Sequence, residues 1–426
     1  MTSFLLVILL LLVVLFMGMP VAFSLGATSV LLTLVYDLPM KVLSQSIFTS
    51  LEGFVLLSIP LFVLMSQVLL DGRIGDDLFE VMNAWVRHLP GGLAIATIMA
   101  CAFFAAITGS GAATAATIGM VAYPAMIERG YDKKFTLGLL AAGGTLGILI
   151  PPSIPLILYG AITEESVGKL FIAGIIPGLI LTGIFVVYSV VKSKRGGFTP
   201  MPKVPWKERL SVTAKNIWGI ILPLLVVGGI YSGAFTPTEA AAVGLVYSLF
   251  ITMVIYRTIK IKDIPEICMK ALGTSCMIAM VIAGAVLFGR VMTLLMIPQK
   301  LTELIIQNNF SPMMFIIAMN LLMVILGMVL ETVSIVLLTM PLVTPILLAL
   351  HIDPIWYAII LTVNMTMALI TPPVGMNLYV IKGLRKDISM GEIISGVLPF
   401  MLLLVVMLII VMAFPTLSTW LPSVMH

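Results

Sequence analysis

Apolar segments of about 20 residues recur along the whole chain, and this pattern restricts the possible folds more than any other feature. Each segment is long enough to cross a bilayer as an α-helix. Of the 426 residues, 61% are apolar and only 10% are charged, whereas about a quarter of the residues of a soluble domain carry a charge. Because backbone in contact with lipid must form its hydrogen bonds internally, the pattern predicts an all-α integral membrane protein.

Two similar halves follow each other along the sequence. Pro151-Pro152 and Pro372-Pro373 each interrupt a long apolar segment, and residues 151 and 372 are 221 positions apart. Three further pairs of identical residues share this offset: Pro124 and Pro345, Asp132 and Asp353, and Thr145 and Thr366. These matches at one shift, without a gap, indicate an internal repeat.

Each half is predicted to contain five spans and one longer apolar stretch that is interrupted near its middle. The predicted spans are 4–17, 20–36, 54–70, 135–160 and 170–191 in the first half, and 217–235, 238–256, 273–295, 354–381 and 394–415 in the second. The interrupted stretches are 91–127 and 312–350. The first has Thr108-Gly109-Ser110-Gly111 at its centre, where glycines disfavour a continuous helix. Two short helices meeting there would form a re-entrant hairpin, and an odd number of crossings per half would then invert the second repeat relative to the first.

The distribution of basic residues supports this topology. With the N-terminus outside, the predicted inner loops are 71–88, 128–134, 192–215, 257–270 and 382–392, and they hold 19 of the 23 Lys and Arg residues. Such an excess is typical of cytoplasmic loops. If either interrupted stretch were a full crossing, the loops after it would change sides and the bias would be lost.

The residue pattern does not indicate an enzyme. Cys101, Cys268 and Cys276 suggest neither a disulfide framework nor a thiolate metal site. The sequence contains no phosphate-binding loop, no nucleophile with a base at a recognisable spacing, and no polar domain that could bind a nucleotide. The net charge of +4 fits basic cytoplasmic loops better than a nucleic-acid surface.

Interruptions of the predicted helices are the candidate functional regions, and they lie at 108–111, 147–152, 327–334 and 366–375. Non-helical backbone at membrane depth persists only where it lines a cavity or is buried in protein. Its free carbonyls and helix ends can bind a cation or a substrate carboxylate. Thr108, Ser110 and Thr114 add hydroxyl oxygens, which suit a hard cation such as Na⁺. The alternative is that these small residues only permit close helix packing.

Two charged residues within apolar segments have alternative interpretations. Glu331 occupies the position that matches Ser110 in the other half. It could tune a cation site, carry a proton or lie in water at the tip of a hairpin. Arg290 could attract an anionic substrate through a bidentate contact, or it could extend to the outer membrane interface.

Four motifs resemble one known family of transporters. They are FFAAITGSGAATAATIG at 103–119, LGILIPPSIPLILYG at 146–160, GIYSGAFTPTEAAAVG at 229–244 and ITPPVGMNLYVIKG at 370–383. Together they are similar to the large membrane subunit of tripartite ATP-independent periplasmic (TRAP) transporters, the DctM-like permeases of a wider ion-transporter superfamily. The similarity runs the length of the chain.

The resemblance implies a sodium-coupled secondary transporter of the bacterial cytoplasmic (inner) membrane. Its substrate would be an organic acid, with sialic acid as the first expectation and a C4-dicarboxylate as the close alternative. The implied partners are a periplasmic substrate-binding protein and a small four-helix membrane subunit. We expect that subunit to be a separate chain, because Met1 begins directly in the first large-subunit helix. On the residues alone, a proton-coupled carrier or a passive channel for anionic metabolites is the alternative.

The resemblance also implies an elevator mechanism, in which a transport domain slides against a scaffold. The transport domain would comprise 91–165 and 311–383, and the scaffold would comprise 1–90 and 166–310. Residues 384–426 would form the terminal helix.

The motif matches imply specific ligands. A first Na⁺ site would be formed by Thr108, Ser110, Gly147, Ile150 and Pro152. A second would draw on Gly327, Glu331, Thr332, Thr366, Thr371 and Gly375. The candidate substrate ligands are Ser110, Thr114, Arg290, Ser334, Asn364 and Asn377.

Overall fold

A computed structural model describes residues 7, 9–11, 13–15, 17–50, 52–197 and 200–424, and the regular structure within these residues is helical. In the first half the helices are α1 (Val21–Val35), α2 (Lys41–Ser50), α3 (Ser58–Asp71), α4 (Ile74–Val86), α5 (Gly92–Thr108), α6 (Gly111–Glu128), α7 (Lys133–Leu149), α8 (Ile154–Thr163) and α9 (Val167–Arg195). The helices that follow are α10 (Trp206–Lys215), α11 (Ile217–Tyr231), α12 (Pro237–Phe250), α13 (Ile264–Leu294), α14 (Ile297–Gln307), α15 (Pro312–Gly327), α16 (Thr332–Ala349), α17 (Pro354–Ala368), α18 (Met376–Gly383), α19 (Met390–Ala413) and α20 (Thr416–Ser423). The predicted first span, 4–17, lies partly outside the described residues.

The long apolar helices are sufficient for a multi-pass membrane protein. Within the described part of the chain, seven helical segments are long and apolar enough to cross a membrane, or eight if the bent pair α10 and α11 is one span. Four further apolar helices are shorter: α1, α5, α15 and α17. Two of these, α5 and α15, are the first arms of the predicted hairpins, and α17 is the first part of a predicted broken span. The short lengths therefore occur mainly where the sequence predicts interrupted helices.

The first interrupted stretch folds as a helical hairpin. Helix α5 ends at Thr108 and is followed by Gly109, whose φ of +61° favours glycine. Ser110 caps α6 by accepting a hydrogen bond from the backbone N–H of Ala113. Near the other end of the hairpin, Thr97 Oγ1 donates to Met126 Sδ at 3.6 Å. Because the start of α5 lies beside the end of α6, the two helices are antiparallel. The two helices form a hairpin in the structure, and its re-entry into the membrane stays a prediction.

Residues related by the 221-residue offset have the same local structure. Asp132 caps α7 through the backbone N–H of Phe135, and Asp353 caps α17 through those of Ile355 and Trp356. Thr145 and Thr366 each donate to the carbonyl three residues earlier, at 2.7 and 2.6 Å. Pro124 and Pro345 both lie inside the second helix of an interrupted stretch. These shared local features agree with the predicted repeat, which stays a prediction for the complete halves.

The two broken helices run in opposite directions. The first consists of α7 and α8, which are separated by Pro151-Pro152, and the second of α17 and α18. At the start of α7, Lys133 Nζ donates to the carbonyl of Asp387, which follows α18. Near the end of α8, Tyr159 donates through its hydroxyl to the carbonyl of Pro354 at the start of α17. This arrangement agrees with the predicted inversion for these elements, and the inversion of the complete halves stays a prediction.

The second interrupted stretch has a more open arrangement than the first. Its arms are α15 and α16, joined by residues 328–331. Helix α15 packs mainly against α17, whereas α16 packs against α8 and α13. The arms of the first hairpin are rich in alanine and glycine, which lets their backbones approach closely. Those of the second contain many methionine, leucine and isoleucine side chains, which keep the helices further apart.

The terminal helix α19 packs against α7. A Cβ atom added at Gly138 would lie 2.0 Å from the carbonyl oxygen of Gly396, so the two backbones touch at this crossing. Lys133 and Glu392 form an ion pair of 3.0 Å beside it. The prediction treats 384–426 as a separate terminal unit, and the structure places its helix in direct contact with the first broken helix.

Helix α10 is fixed against α4 where the two halves are joined. Trp85 Nε1 donates to Thr213 Oγ1 at 2.9 Å, and the buried Arg209 donates through Nε to the carbonyl of Val204 at 3.0 Å. Asn216, at the end of α10, donates to the carboxylate of Glu80 at 3.4 Å. Helix α10 is bent by 62° relative to α11. These contacts hold the helix at this angle.

The junction of α4 with α10 is expected to be more stable at mildly acidic pH. Burial raises the pKa of Asp77 to about 6, with further contributions from Glu80 and Asp76, while Lys215 acts in the opposite direction. The Asp77 carboxyl therefore binds its proton more tightly in the folded state than in the unfolded state. Stability falls as the pH rises from about 4 through about 6, and it levels off above that.

The matching experiment compares Tm values of the purified protein at pH 5 and pH 7.5. Asp77→Asn should raise Tm at pH 7.5 by roughly 1–2 °C and reduce the pH dependence, the size being limited by solvent screening. Glu303→Gln, at an exposed position of α14, removes one carboxylate elsewhere and should leave the pH dependence unchanged. An unchanged pH profile in Asp77→Asn would contradict the assignment.

Candidate functional site

The tip of the first hairpin is in backbone contact with the break between α7 and α8. A Cβ atom added at Gly147 would lie 2.6 Å from the carbonyl oxygen of Ser110, and one added at Gly109 would lie 2.4 Å from the carbonyl oxygen of Pro152. Real Cβ atoms do not approach other atoms so closely, so only glycine fits at either position. The first two interruptions are therefore in contact, and backbone carbonyls of both segments lie close together.

Two buried hydroxyl groups lie behind this tip. Thr108 Oγ1 donates to the carbonyl of Phe104 at 3.1 Å, and Thr114 Oγ1 donates to the carbonyl of Ser110 at 2.9 Å. The two hydroxyl oxygens are 3.2 Å apart. Because each hydroxyl hydrogen already has a carbonyl acceptor, the oxygen lone pairs remain available to a further donor or to a cation.

A residue of the second half completes this group. Asn377, at the start of α18, is fully buried and donates through Nδ2 to the carbonyl of Ala141 at 3.0 Å. Its Oδ1 has no hydrogen-bond partner in the structure. A Cβ atom added at Gly111 would lie 3.5 Å from this Oδ1, and one added at Gly144 would lie 2.9 Å from Nδ2. The unpaired amide oxygen therefore faces the tip of the first hairpin.

We refer to Thr108, Ser110, Thr114, Gly147, Pro152 and Asn377 as the tip cluster. Its potential ligands are uncharged oxygens: hydroxyl groups, backbone carbonyls and one amide. This set fits a hard monovalent cation better than a transition metal, which prefers imidazole or thiolate. Within the described ranges, no group of three or more His, Cys, Asp or Glu residues could hold a metal ion. A buried amide oxygen without a partner also carries a free-energy cost that a bound cation or water would remove.

The remaining predicted ligand of the first Na⁺ site has a different environment. Ile150 lies in the break, with extended backbone at the end of α7. Its side chain packs against α9, where a Cβ atom added at Gly178 would lie 2.7 Å from Ile150 Cγ1. Only its backbone is therefore placed to contribute to the tip cluster.

The predicted ligands of the second Na⁺ site are distributed over two locations. Gly327 meets the end of α17, because a Cβ atom added there would lie 2.4 Å from Ala368 Cβ. Thr366 and Thr371 donate to carbonyls of the same segment, those of Val363 and Met367. Gly375 adopts φ +46° at the start of α18, and Thr332 is buried at the start of α16.

Glu331 belongs to the other location, where it lies beside Ser334, a predicted substrate ligand. They line a cavity of about 430 Å³ between α16, α1 and α13, together with Pro20 and Cys276. The carboxylate of Glu331 therefore faces the predicted scaffold, whereas its counterpart Ser110 faces α7. The two halves are not equivalent at this position.

A buried amide pair was missed by the sequence-based prediction. Asn364 Nδ2 donates to the carbonyl and to Oδ1 of Asn320, at 3.0 and 2.9 Å, and both side chains are buried. This contact holds α15 against α17, so Asn364 is engaged away from the tip cluster. The available signal was Asn320 itself, since an amide inside an apolar segment needs a partner in the protein.

Arg290 lies in a wide cleft and not in the tip cluster. The cleft has a volume of about 830 Å³ and is bounded by α2, α8, α13 and α16. Arg290 is exposed there, together with Thr49, Glu164 and Thr293. The cleft separates elements of the predicted scaffold from elements of the predicted transport domain.

Two antiparallel broken helices with buried polar groups at their interruptions define a class of protein, the membrane transporters. A solved structure shares this fold: the chain is similar to the YdaH transporter of Alcanivorax borkumensis, with a TM-score of 0.66 and 14% sequence identity, over 94% of this chain and 98% of the other. The chain belongs to the family described as the DctM component of tripartite ATP-independent periplasmic transporters, whose sequence profile matches residues 8–417.

Three relatives illustrate the range of the family. The C4-dicarboxylate TRAP transporter large permease protein DctM of Pseudomonas aeruginosa is 41% identical over 94% of both chains. The sialic acid TRAP transporter large permease protein SiaM of Vibrio cholerae is 33% identical over 96% of both chains. The isethionate TRAP transporter permease protein DctMQ of Oleidesulfovibrio alaskensis is 34% identical over 96% of this chain but only 63% of its own length.

The family membership confirms several predictions. The chain is a TRAP transporter permease and not an enzyme, and it is a multi-pass protein of the bacterial inner membrane.

Proposed function

We propose that this chain is the large permease subunit of a sodium-coupled transporter that imports a C4-dicarboxylate or a chemically similar organic acid. The observation that carries the sodium coupling is the tip cluster, in which the buried, unpaired Oδ1 of Asn377 faces the hydroxyls and carbonyls of the first hairpin. Uncharged oxygens of this kind replace the hydration shell of a hard cation. Because the tip of the hairpin contributes to the site, cation binding would stabilise the contact of the hairpin with the break between α7 and α8.

The substrate proposal favours a C4-dicarboxylate over sialic acid. The relative named for C4-dicarboxylates shares more of its sequence with this chain than the relative named for sialic acid, 41% against 33%. Arg290 provides an exposed guanidinium in the large cleft, where a carboxylate could form a bidentate contact. A dianion would gain more from this contact than a monoanion does.

The transport movement we propose is of the elevator type. The cleft beside Arg290 separates α2 and α13 of the scaffold from α8 and α16 of the transport domain. A sliding movement of the hairpin-bearing part would change the shape of this cleft and carry the tip cluster across the membrane. The proposed partners are a periplasmic binding protein, which delivers the substrate, and a small membrane subunit. The greater length of the DctMQ relative supports the presence of such a subunit.

The deciding experiment measures uptake of radiolabelled succinate into proteoliposomes that contain the permease, its small subunit and its binding protein. An inward sodium gradient should produce accumulation, and a proton gradient alone should not. Ser110→Ala removes one hydroxyl of the tip cluster, so it should raise the sodium concentration for half-maximal uptake by about fivefold. Accumulation without a sodium gradient would contradict the proposal.

A proton-coupled carrier is the second candidate, and Glu331 is the observation that favours it. Its carboxylate lies at a hairpin turn beside a cavity lined by α1 and α13. In a proton-coupled carrier, Glu331→Gln would abolish coupling and Ser110→Ala would leave it largely intact. Sodium coupling predicts the reverse: Ser110→Ala would weaken coupling more than Glu331→Gln would. A passive channel would show no accumulation under either gradient.

A further inference from the structure

Helix α10 has a continuous exposed face that is apolar on one side and basic on the other. Trp206, Leu210 and Ala214 follow each other at intervals of four residues, and all three are exposed. Lys207 and Lys215 occupy the adjacent exposed stripe, rotated by about 100°. A helix with this division is typical of segments that lie in the membrane interface.

The opposite face of α10 is fixed to the protein. Arg209 is only 4% exposed and donates to the carbonyl of Val204. Trp85 Nε1 donates to Thr213, and the Trp85 ring meets the Trp206 ring edge to face, with 5.3 Å between their centroids, at the border between the fixed and the exposed face. The exposed face is therefore a rigid surface and does not depend on a flexible loop.

The angle of α10 places this surface close to the membrane plane. Helix α11 continues the chain as an apolar helix, and α10 is bent by 62° relative to it. If α11 crosses the bilayer near the normal, α10 lies closer to the plane of the membrane than to its normal. Trp218, at the start of α11, is also partly exposed and marks the same interface.

We propose that α10 binds anionic phospholipids of the cytoplasmic leaflet. Trp206 and Leu210 would insert at the boundary between headgroups and acyl chains, and Lys203, Lys207 and Lys215 would contact lipid phosphates. Charge complementarity favours this occupant. The segment 192–215 contains seven basic residues and one acidic residue, Glu208, and the cytoplasmic leaflet attracts such segments. The proposal is independent of the transported ion and of the substrate.

The experiment uses the complex of the chain with its small subunit, reconstituted in bilayers of phosphatidylcholine with and without phosphatidylglycerol. Trp206 fluorescence is obtained as the difference between the wild type and Trp206→Phe. Brominated phosphatidylglycerol should quench this signal at least about threefold more efficiently than brominated phosphatidylcholine, because the basic stripe concentrates the anionic lipid. Combined substitution of Lys203, Lys207 and Lys215 by Gln should remove the preference.

The matched control replaces three exposed lysines of the predicted outer loops, Lys41, Lys169 and Lys300, by Gln, which removes the same charge. The control should retain the preference for phosphatidylglycerol. Equal quenching by both lipids in the wild type would overturn the proposal. So would quenching that is present in the isolated chain and absent in the complex, since the small subunit would then cover this face.

Discussion

Gly147→Ala is expected to reduce sodium-driven uptake by at least about tenfold. The new Cβ atom would lie 2.6 Å from the carbonyl oxygen of Ser110, 2.7 Å from its carbonyl carbon and 2.9 Å from the backbone nitrogen of Gly111. All three are backbone atoms, so no side chain can rotate away to accommodate the methyl group. The hairpin tip must move, and the carbonyls that it contributes to the tip cluster move with it.

Gly183→Ala is the matched control for this substitution. Gly183 also lies inside an apolar helix, α9, but a Cβ atom there would have no neighbour within 4 Å. It should leave the uptake rate close to that of the wild type. Gel filtration and Tm without sodium establish whether both variants are folded. An uptake rate of Gly147→Ala within about twofold of the control would contradict the proposed role of the tip, since an overpacking cost of about 1–3 kcal/mol corresponds to a larger change.

Local patterns were sufficient to predict the first hairpin, whereas its proximity to the double proline was implied by the resemblance to a known family. The glycines and hydroxyl residues at 108–111 end one helix and begin another whatever surrounds them. Asp132 and Asp353 cap their helices through backbone groups two or three residues away. Such features depend on short-range backbone preferences, which the sequence displays directly.

The residues that join the two halves could not be placed in the same way. The contact of Asn377 with Ala141 spans 236 positions, and it depends on how two broken helices dock. The same docking decides that Asn364 pairs with Asn320 and that Arg290 faces the cleft. In apolar helices of nearly uniform hydrophobicity, periodicity does not distinguish the face turned to lipid from the face turned to protein. The candidate substrate ligands therefore form one group in the sequence-based prediction and are separated in the structure.

The inequality of the two hairpins has the same origin. The offset of 221 residues relates Ser110 to Glu331, and symmetry alone would place both at equivalent ion sites. The first hairpin packs tightly through alanine and glycine, whereas α15 and α16 diverge toward different neighbours. Glu331 consequently faces a cavity that α1 and α13 share. The packing volume of the hairpin arms, more than the identity of the tip residue, determines what each tip contacts.

Asn377→Leu is expected to abolish the stabilisation of the protein by sodium. A ligand that binds only the folded state raises its stability in proportion to the logarithm of its concentration over Kd. The Tm of the wild type should therefore rise with NaCl relative to choline chloride. The leucine has the same branched skeleton of heavy atoms as asparagine with no oxygen to offer, so the Tm of the variant should respond equally to both salts. Half-maximal uptake should need at least about tenfold more sodium.

Asn320→Leu separates a loss of ion binding from a general loss of stability. Asn320 is also a buried amide inside an apolar helix, but it contacts Asn364 and not the first hairpin. Its replacement leaves a buried amide of Asn364 with fewer partners, so Tm should fall in both salts. The difference between NaCl and choline chloride should nevertheless persist. If Asn377→Leu also kept the difference in Tm between the two salts, Asn377 Oδ1 would not be a sodium ligand. The tip cluster would then have to bind water instead of sodium.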